Sequence, residues 1–220
     1  FSDIKNSTSS SEGLQPEDLT RYLNEYFSEM TDIALDHGAT IDKYIGDAMM
    51  VFFGDPDSKG EQEDARSCVK MAIKMRDRMS HLQDKWQKQG FADPFVIRMG
   101  MNTGYCNVGN FGSDQRLTYT IIGSEVNVAQ RLEASAQPGG ILMSYETYAY
   151  AQDLIEVEQL NSISMKGVKR EIKVFSVLNK IKRKSKIKDT SQKIKNVPER
   201  IGERLDILEN KIEEILDRIK

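Results

Sequence analysis

What most constrains this chain is the succession of hydrophobic periods along its first hundred or so residues, because each change of period forces a change of secondary structure. The chain opens on a short apolar strand, FSDI. A helical stripe follows, with Leu19, Tyr22, Leu23, Tyr26, Phe27, Met30, Ile33 and Ala34 on one face, Pro16 in its first turn and Gly38 at its end. Residues 40–44 and 48–53 then read as two short strands of a hairpin turning at Gly46-Asp47. A second helix is predicted from about residue 62 to 89, carrying Val69, Ala72, Ile73, Met75, Met79 and Leu82, and a further strand over residues 95–104.

Strand, helix, hairpin, helix, strand is the βαββαβ order of a ferredoxin-like or polymerase-palm core, so the expected class is α+β. Additional elements are predicted beyond it: strands at 105–111 and 119–122, a helix at 124–136, and strands at 141–144, 154–164 and 172–178. Such a core hosts many activities, and the chemistry must come from particular side chains.

At 220 residues with 39% hydrophobic content, the chain suffices for one domain with an appendage. The domain is expected over residues 1–179. A basic polar linker at 180–198 follows, containing KIKRKSKIK, a run that reads as solvated linker rather than as a patch for phosphate or membrane. In residues 199–220, Ile201, Leu205, Leu208, Ile212, Ile215 and Ile219 recur at alternating spacings of four and three. That stripe suits a short coiled coil or an amphipathic helix folded back on the domain. The net charge of −3 offers no general attraction for nucleic acid, and Cys68 and Cys106 show no metal-ligand or disulfide-framework spacing, which suits a reducing compartment. No apolar run is long enough to span a bilayer, so the chain itself is expected to be soluble. Because Phe1 opens within an interrupted strand, the sequence reads as a piece of a longer protein, with any sensor or membrane anchor lying upstream and this domain on the cytoplasmic face.

Asp3 ends the first apolar strand and Asp47 sits at the hairpin tip, so the core would bring both carboxylates to adjacent central strand ends. Two convergent carboxylates without histidine or thiol suit magnesium or manganese, and a pair of such ions fits an in-line phosphoryl displacement. An isolated aspartate in a turn is more often simply a turn former. His37 and His81 have no partner at ligand spacing, and Trp86 reads as a packing residue rather than a base-stacking platform.

Five segments, FSDI, IDKYIGDAMM, RMGMNTG, TYTIIGSEVNVAQRLE and SMKG, stand in an order and at separations that resemble the class III adenylate cyclase family from Phe1 to about Leu178. The resemblance is greatest to bacterial members whose catalytic domain follows a membrane-embedded region. It implies that ATP is converted to cyclic AMP and pyrophosphate, and that Asp3, Asp47 and the backbone carbonyl of Ile4 hold two divalent ions, Mg2+ or Mn2+. It further implies that Asn127 orients the ribose and Arg131 neutralises the α-phosphate; their spacing of four puts both on one helical face. Lys166 would hold the terminal phosphates, and Lys43 and Thr120 would read the base. A lysine offers only donors, matching N1 of adenine, whereas the Thr120 hydroxyl suits either the adenine amine or the guanine oxygen. Homodimeric members share two equivalent sites across the interface, the metal ligands coming from one chain and the remaining residues from the other.

One departure stands out. Where the family continues FSDI with an apolar residue, glycine, phenylalanine and threonine, this chain has Lys5, Asn6, Ser7 and Thr8. Asn6 tolerates the left-handed backbone and Thr8 matches, so a phosphate-cradling loop is retained as an expectation, with a slower rate. Tyr105 occupies a position where some relatives place an arginine near the phosphates. A weak cyclase-like regulatory or dimerisation module and a guanylate cyclase are the alternative readings at this point.

Overall fold

A computed structural model describes residues 1–5, 13–164 and 170–181, all within one compact unit, Phe1–Ile181. The predicted heptad helix, all but the first two residues of the predicted linker, Thr8 and Lys166 lie outside the described residues. Strand β1 (Ser2–Lys5) leads to helix α1 (Pro16–Asp36), the hairpin β2 (Thr40–Ile45) and β3 (Ala48–Phe52), helix α2 (Glu61–Lys88) and strand β4 (Val96–Met101). This is the expected βαββαβ run. Its strands lie in the order β2-β3-β1-β4, with β1 antiparallel to both neighbours, which is the ferredoxin-like arrangement.

The sheet then grows on the β4 side. Strand β5 (Asn107–Ser113) and strand β6 (Arg116–Ile122) precede helix α3 (Ser124–Ser135), strand β7 (Ile141–Ser144), helix α4 (Tyr145–Ala151), strand β8 (Ile155–Gln159) and strand β9 (Val174–Lys180). Strand β7 pairs parallel with β4, and β9 and β8 complete a seven-stranded sheet. Strands β5 and β6 stay outside it as a two-stranded ribbon.

Several boundaries differ from the sequence reading. The strand predicted at 105–111 begins at Asn107, the one at 119–122 starts earlier at Arg116, and the long strand predicted at 154–164 stops at Gln159, leaving an isolated bridge between Ile163 and Ile172. The short helix α4 was not predicted; its seven residues, YETYAYA, are too few to carry a helical stripe.

Alternation along β4 divides the molecule. Ile97, Met99 and Met101 join the main core under α1 and α2, with Tyr22, Tyr26, Met30, Val69, Met75, Leu82 and Trp86. Trp86 is fully buried among Tyr22, Phe91 and Phe95 and donates Nε1 to Glu25, so it is a packing residue. Arg98 and Gly100 face the other way, toward α3, beneath which Val128, Leu132, Leu142, Ile172 and Val174 form a second cluster. The approach at Gly100 is close enough to require glycine: a Cβ there would lie 2.0 Å from the Glu133 backbone nitrogen and 2.4 Å from the Ala129 carbonyl. The backbone of α3 is thereby seated against β4, which determines where its solvent face points.

Candidate active site

The hairpin β2–β3 closes as expected. Ile45 pairs with Ala48, leaving Gly46-Asp47 as a two-residue turn with Gly46 at φ +64°. Strand β3 in turn pairs with β1 at Ser2 and Met49, and one antiparallel step further sets Asp3 beside Ala48, the residue after Asp47. The Tyr26 hydroxyl, buried and 3.3 Å from Ser2 Oγ, is held well above the usual phenol range, mainly by burial and further by the negative charges of Asp3 and Asp47.

The two carboxylates differ in their surroundings. Asp3 Oδ2 accepts a hydrogen bond of 2.9 Å from Arg98 Nη2, while Asp47 Oδ2 is buried without a hydrogen-bond partner among the described residues. An orphaned carboxylate oxygen of this kind is costly unless a cation meets it, so the donor set fits a hard divalent ion. The Ile4 side chain is buried in the core at 2% exposure, leaving only its backbone carbonyl for such a role. Among the described residues no group of three or more histidine, cysteine or acidic side chains forms an alternative metal centre. Cys68 and Cys106 are both free; burial pushes the Cys68 thiol up to about 11 and raises Cys106 as well, so neither is an activated thiolate.

Some 77 residues apart in sequence, Lys43 on β2 and Thr120 on β6 meet: Lys43 Nζ donates to Thr120 Oγ1 at 3.0 Å. Asp42, which the sequence reading passed over, joins them. Its side chain is wholly buried, with Oδ2 accepting from the Thr120 hydroxyl at 2.6 Å and from the Ile121 amide at 3.1 Å, and Oδ1 standing 3.1 Å from Lys43 Nζ. The signal for Asp42 was an acidic residue inside a strand beside a candidate lysine. Simple alternation would have sent its side chain to the opposite face.

Asn127 and Arg131 both lie on the exposed side of α3, one turn apart, and neither side chain makes a hydrogen bond or ion pair with any described residue. No hydrogen bond or ion pair among the described residues links them, or the Lys43–Thr120 pair, to Asp3 or Asp47. Arg170, taken from sequence for a surface charge, makes two hydrogen bonds to Glu125 at the start of α3, at 3.1 and 3.0 Å. Those bonds, with a further one from Asn102, hold the Glu125 carboxyl below its usual range against the opposing effect of burial. A cavity of about 1020 Å³ between β3, α2 and the start of α3 is lined by residues such as Met71, Met101 and Glu125, and by none of the predicted site residues that are described.

The adenylate and guanylate cyclase catalytic domain family matches residues 1–179. The chain belongs to this family. Among solved structures, the cyclase domain is 49% identical to the adenylyl cyclase CyaB from P. aeruginosa, with a TM-score of 0.79 over 83% of this chain and 92% of that one. It is 34% identical to the guanylyl cyclase Cya2, with a TM-score of 0.76 over 84% of this chain and 92% of the other. Adenylate cyclase 1 of Rhizobium meliloti (strain 1021) is 28% identical over 184 residues, a stretch covering 83% of this chain and 27% of that protein. The chain therefore spans only about a quarter of that relative's length. Cyclase domains of this family depend in general on divalent metal ions. No helix among the described residues of this cyclase domain is long and apolar enough to cross a membrane.

Proposed function

We propose that this cyclase domain converts ATP to 3′,5′-cyclic AMP and pyrophosphate, at two equivalent sites shared between the subunits of a homodimer. The observation that carries the choice of base is the Lys43–Thr120 pair, since similarity alone reaches both an adenylyl and a guanylyl cyclase. Lys43 Nζ is a donor, the complement of adenine N1; guanine presents N1–H there and would call for a carboxylate.

Asp3, Asp47 and the Ile4 carbonyl would hold the two divalent ions, Mg2+ or Mn2+, as the buried Asp47 Oδ2, without a partner among the described residues, supports. When bound, such ions supply charge neutralisation for the attacking and leaving oxygens of a phosphoryl transfer. Asn127 orients the ribose so that its 3′-oxygen lies in line with the α-phosphorus. Arg131, free of any ion pair among the described residues, neutralises charge as it grows on that phosphate. The 3′-oxygen–phosphorus bond forms as the bond to the bridging oxygen breaks; pyrophosphate leaves and the hydroxyl proton passes to solvent. Lys166 holds the terminal phosphates, with Thr8 beside them.

A dimer is supported by the apolar side chains left exposed near this machinery: Tyr44 and Ile45 on β2, and Leu117, Tyr119 and Ile122 on the β5–β6 ribbon. One subunit would present its metal ligands to the Lys43, Thr120, Asn127, Arg131 and Lys166 of the other. Residues 1–179 form the catalytic domain, and in a longer protein a membrane-embedded region upstream would keep it at the cytoplasmic face. Incubation of the domain with ATP or GTP and Mg2+ or Mn2+, with chromatography of the products, tests the reading. Cyclic AMP as the preferred product is expected; preferential formation of cyclic GMP would overturn the base assignment, and no cyclic product the activity itself.

A further inference from the structure

Strand β2 contains an irregularity that serves no obvious need of the sheet. Ile41 pairs with Val51 and Lys43 with Met50, so Asp42 is an extra residue with no partner on β3. A bulge interrupts the alternation of side chains and re-aims one of them. Here it turns the Asp42 carboxylate to the same side as Lys43, toward the β5–β6 ribbon, where it is wholly buried and meets Thr120, Ile121 and Lys43.

We propose that Asp42 is a specificity-determining positioning residue, which fixes the hydrogen-bonding sense of Thr120 and Lys43 so that together they accept adenine and reject guanine. The inference rests on the reading of Lys43 and Thr120 as base contacts. A threonine hydroxyl has one proton and two lone pairs, and left to rotate it serves as donor or acceptor. In this domain the proton is committed to Asp42 Oδ2 at 2.6 Å, an oxygen that also receives the Ile121 amide and so has only acceptor character to offer. One lone pair of Thr120 Oγ1 receives Lys43 Nζ at 3.0 Å. What remains is a single lone pair. A base edge meeting Thr120 must therefore bring an N–H, as the adenine 6-amino group does, whereas the guanine 6-oxygen would set lone pair against lone pair.

The same carboxylate steadies the other half of the pair. Lys43 Nζ has three N–H donors; with one directed to Thr120 and the ammonium drawn to Asp42 Oδ1 at 3.1 Å, the group is held with a donor to spare for adenine N1. The ambiguity that a free threonine leaves at this position is removed by a side chain that itself need not touch the nucleotide. A purely structural role, pinning the β5–β6 ribbon to β2, would require the same contacts and be indifferent to the base.

The ratio of kcat/KM for ATP to that for GTP separates the two, measured with both nucleotides competing in one reaction so that the amount of active enzyme cancels. Asp42→Asn keeps the volume, but its amide must aim an NH2 group at either Lys43 or Thr120, and Asp42→Ala removes both partners. In each variant the ratio is expected to fall by about tenfold, the scale of one misdirected hydrogen bond. Thr120→Val should lower it similarly, and Asp42→Ala added to Thr120→Val should lower it by less than Asp42→Ala does alone, because Asp42 acts in part through Thr120. An unchanged ratio in both Asp42 variants, with Thr120→Val still shifting it, would overturn the proposal and leave the base assignment intact. An unchanged ratio in Thr120→Val would instead remove Thr120 from the base contacts, and this inference with it.

Discussion

Arg98 on β4 and Asp3 on β1 are registered partners in the sheet, and the arginine donates to the carboxylate at 2.9 Å while its Nε stands 2.6 Å from Glu133 on α3. One guanidinium thus ties a proposed metal ligand to the helix that carries Asn127 and Arg131. Burial raises Glu133 above its usual range, opposed first by the nearby Arg98 cation. Removing that cation in Arg98→Met should lower activity at limiting metal by about 10- to 100-fold, the usual cost of losing an outer partner of a ligand. Titration of activity with Mg2+ or Mn2+ checks it: part of the loss should be recovered at high metal concentration.

Asp3→Ala and Asp47→Ala should each reduce turnover to below about a tenth of the parent rate, since each removes a proposed ligand of the metal ions. The two should differ in stability. Asp47 carries a buried oxygen with no partner among the described residues, so its removal should leave the metal-free melting temperature unchanged or raised, whereas Asp3→Ala takes one of two carboxylates from Arg98 and should lower it. Circular dichroism melts alongside product assays give both readings.

At the base, Lys43→Glu exchanges a donor for an acceptor and places a second carboxylate beside the buried Asp42. Cyclisation of ATP should fall by at least about a hundredfold, with the ATP to GTP preference sharply reduced. A preference equal to that of the parent would remove Lys43 from base recognition.

The pair Glu125–Arg170 has a pH signature. Hydrogen bonds from Arg170 hold the folded-state Glu125 carboxyl below its ordinary value of 4.5, so the folded chain binds that proton more weakly than the unfolded chain. The resulting stabilisation is complete above the unfolded value and lost as pH falls through the folded one. Urea midpoints between about pH 3 and 7 should therefore decline on the acid side, and Glu125→Gln should flatten that decline.

Much of this was legible in sequence where a period or a turn dictated it. The change from helical to alternating hydrophobicity around Gly38, and back beyond Phe53, delivered the βαββαβ order, and Gly46-Asp47 announced a tight hairpin that turned out to hold two residues. What stayed hidden depended on partners distant in the chain. The β5–β6 ribbon reads as ordinary strands, because nothing local says whether a strand joins the main sheet. Asp42 escaped because the alternation rule that located its neighbours fails at a bulge. Arg170 looked like surface charge because Glu125 lies 45 residues away.

The central claim, that the site is divided between two subunits, is tested most directly by mixing two inactive proteins. A dimer with Asp47→Ala in one subunit and Arg131→Ala in the other gathers both lesions into one site and leaves the second intact, because a two-fold axis uses each residue once per site. If subunits exchange freely, roughly half of the dimers are mixed and each has one working site of two, so activity should return to about a quarter of the parent value. If tagged subunits prove that exchange has occurred and no activity returns, the divided site is contradicted.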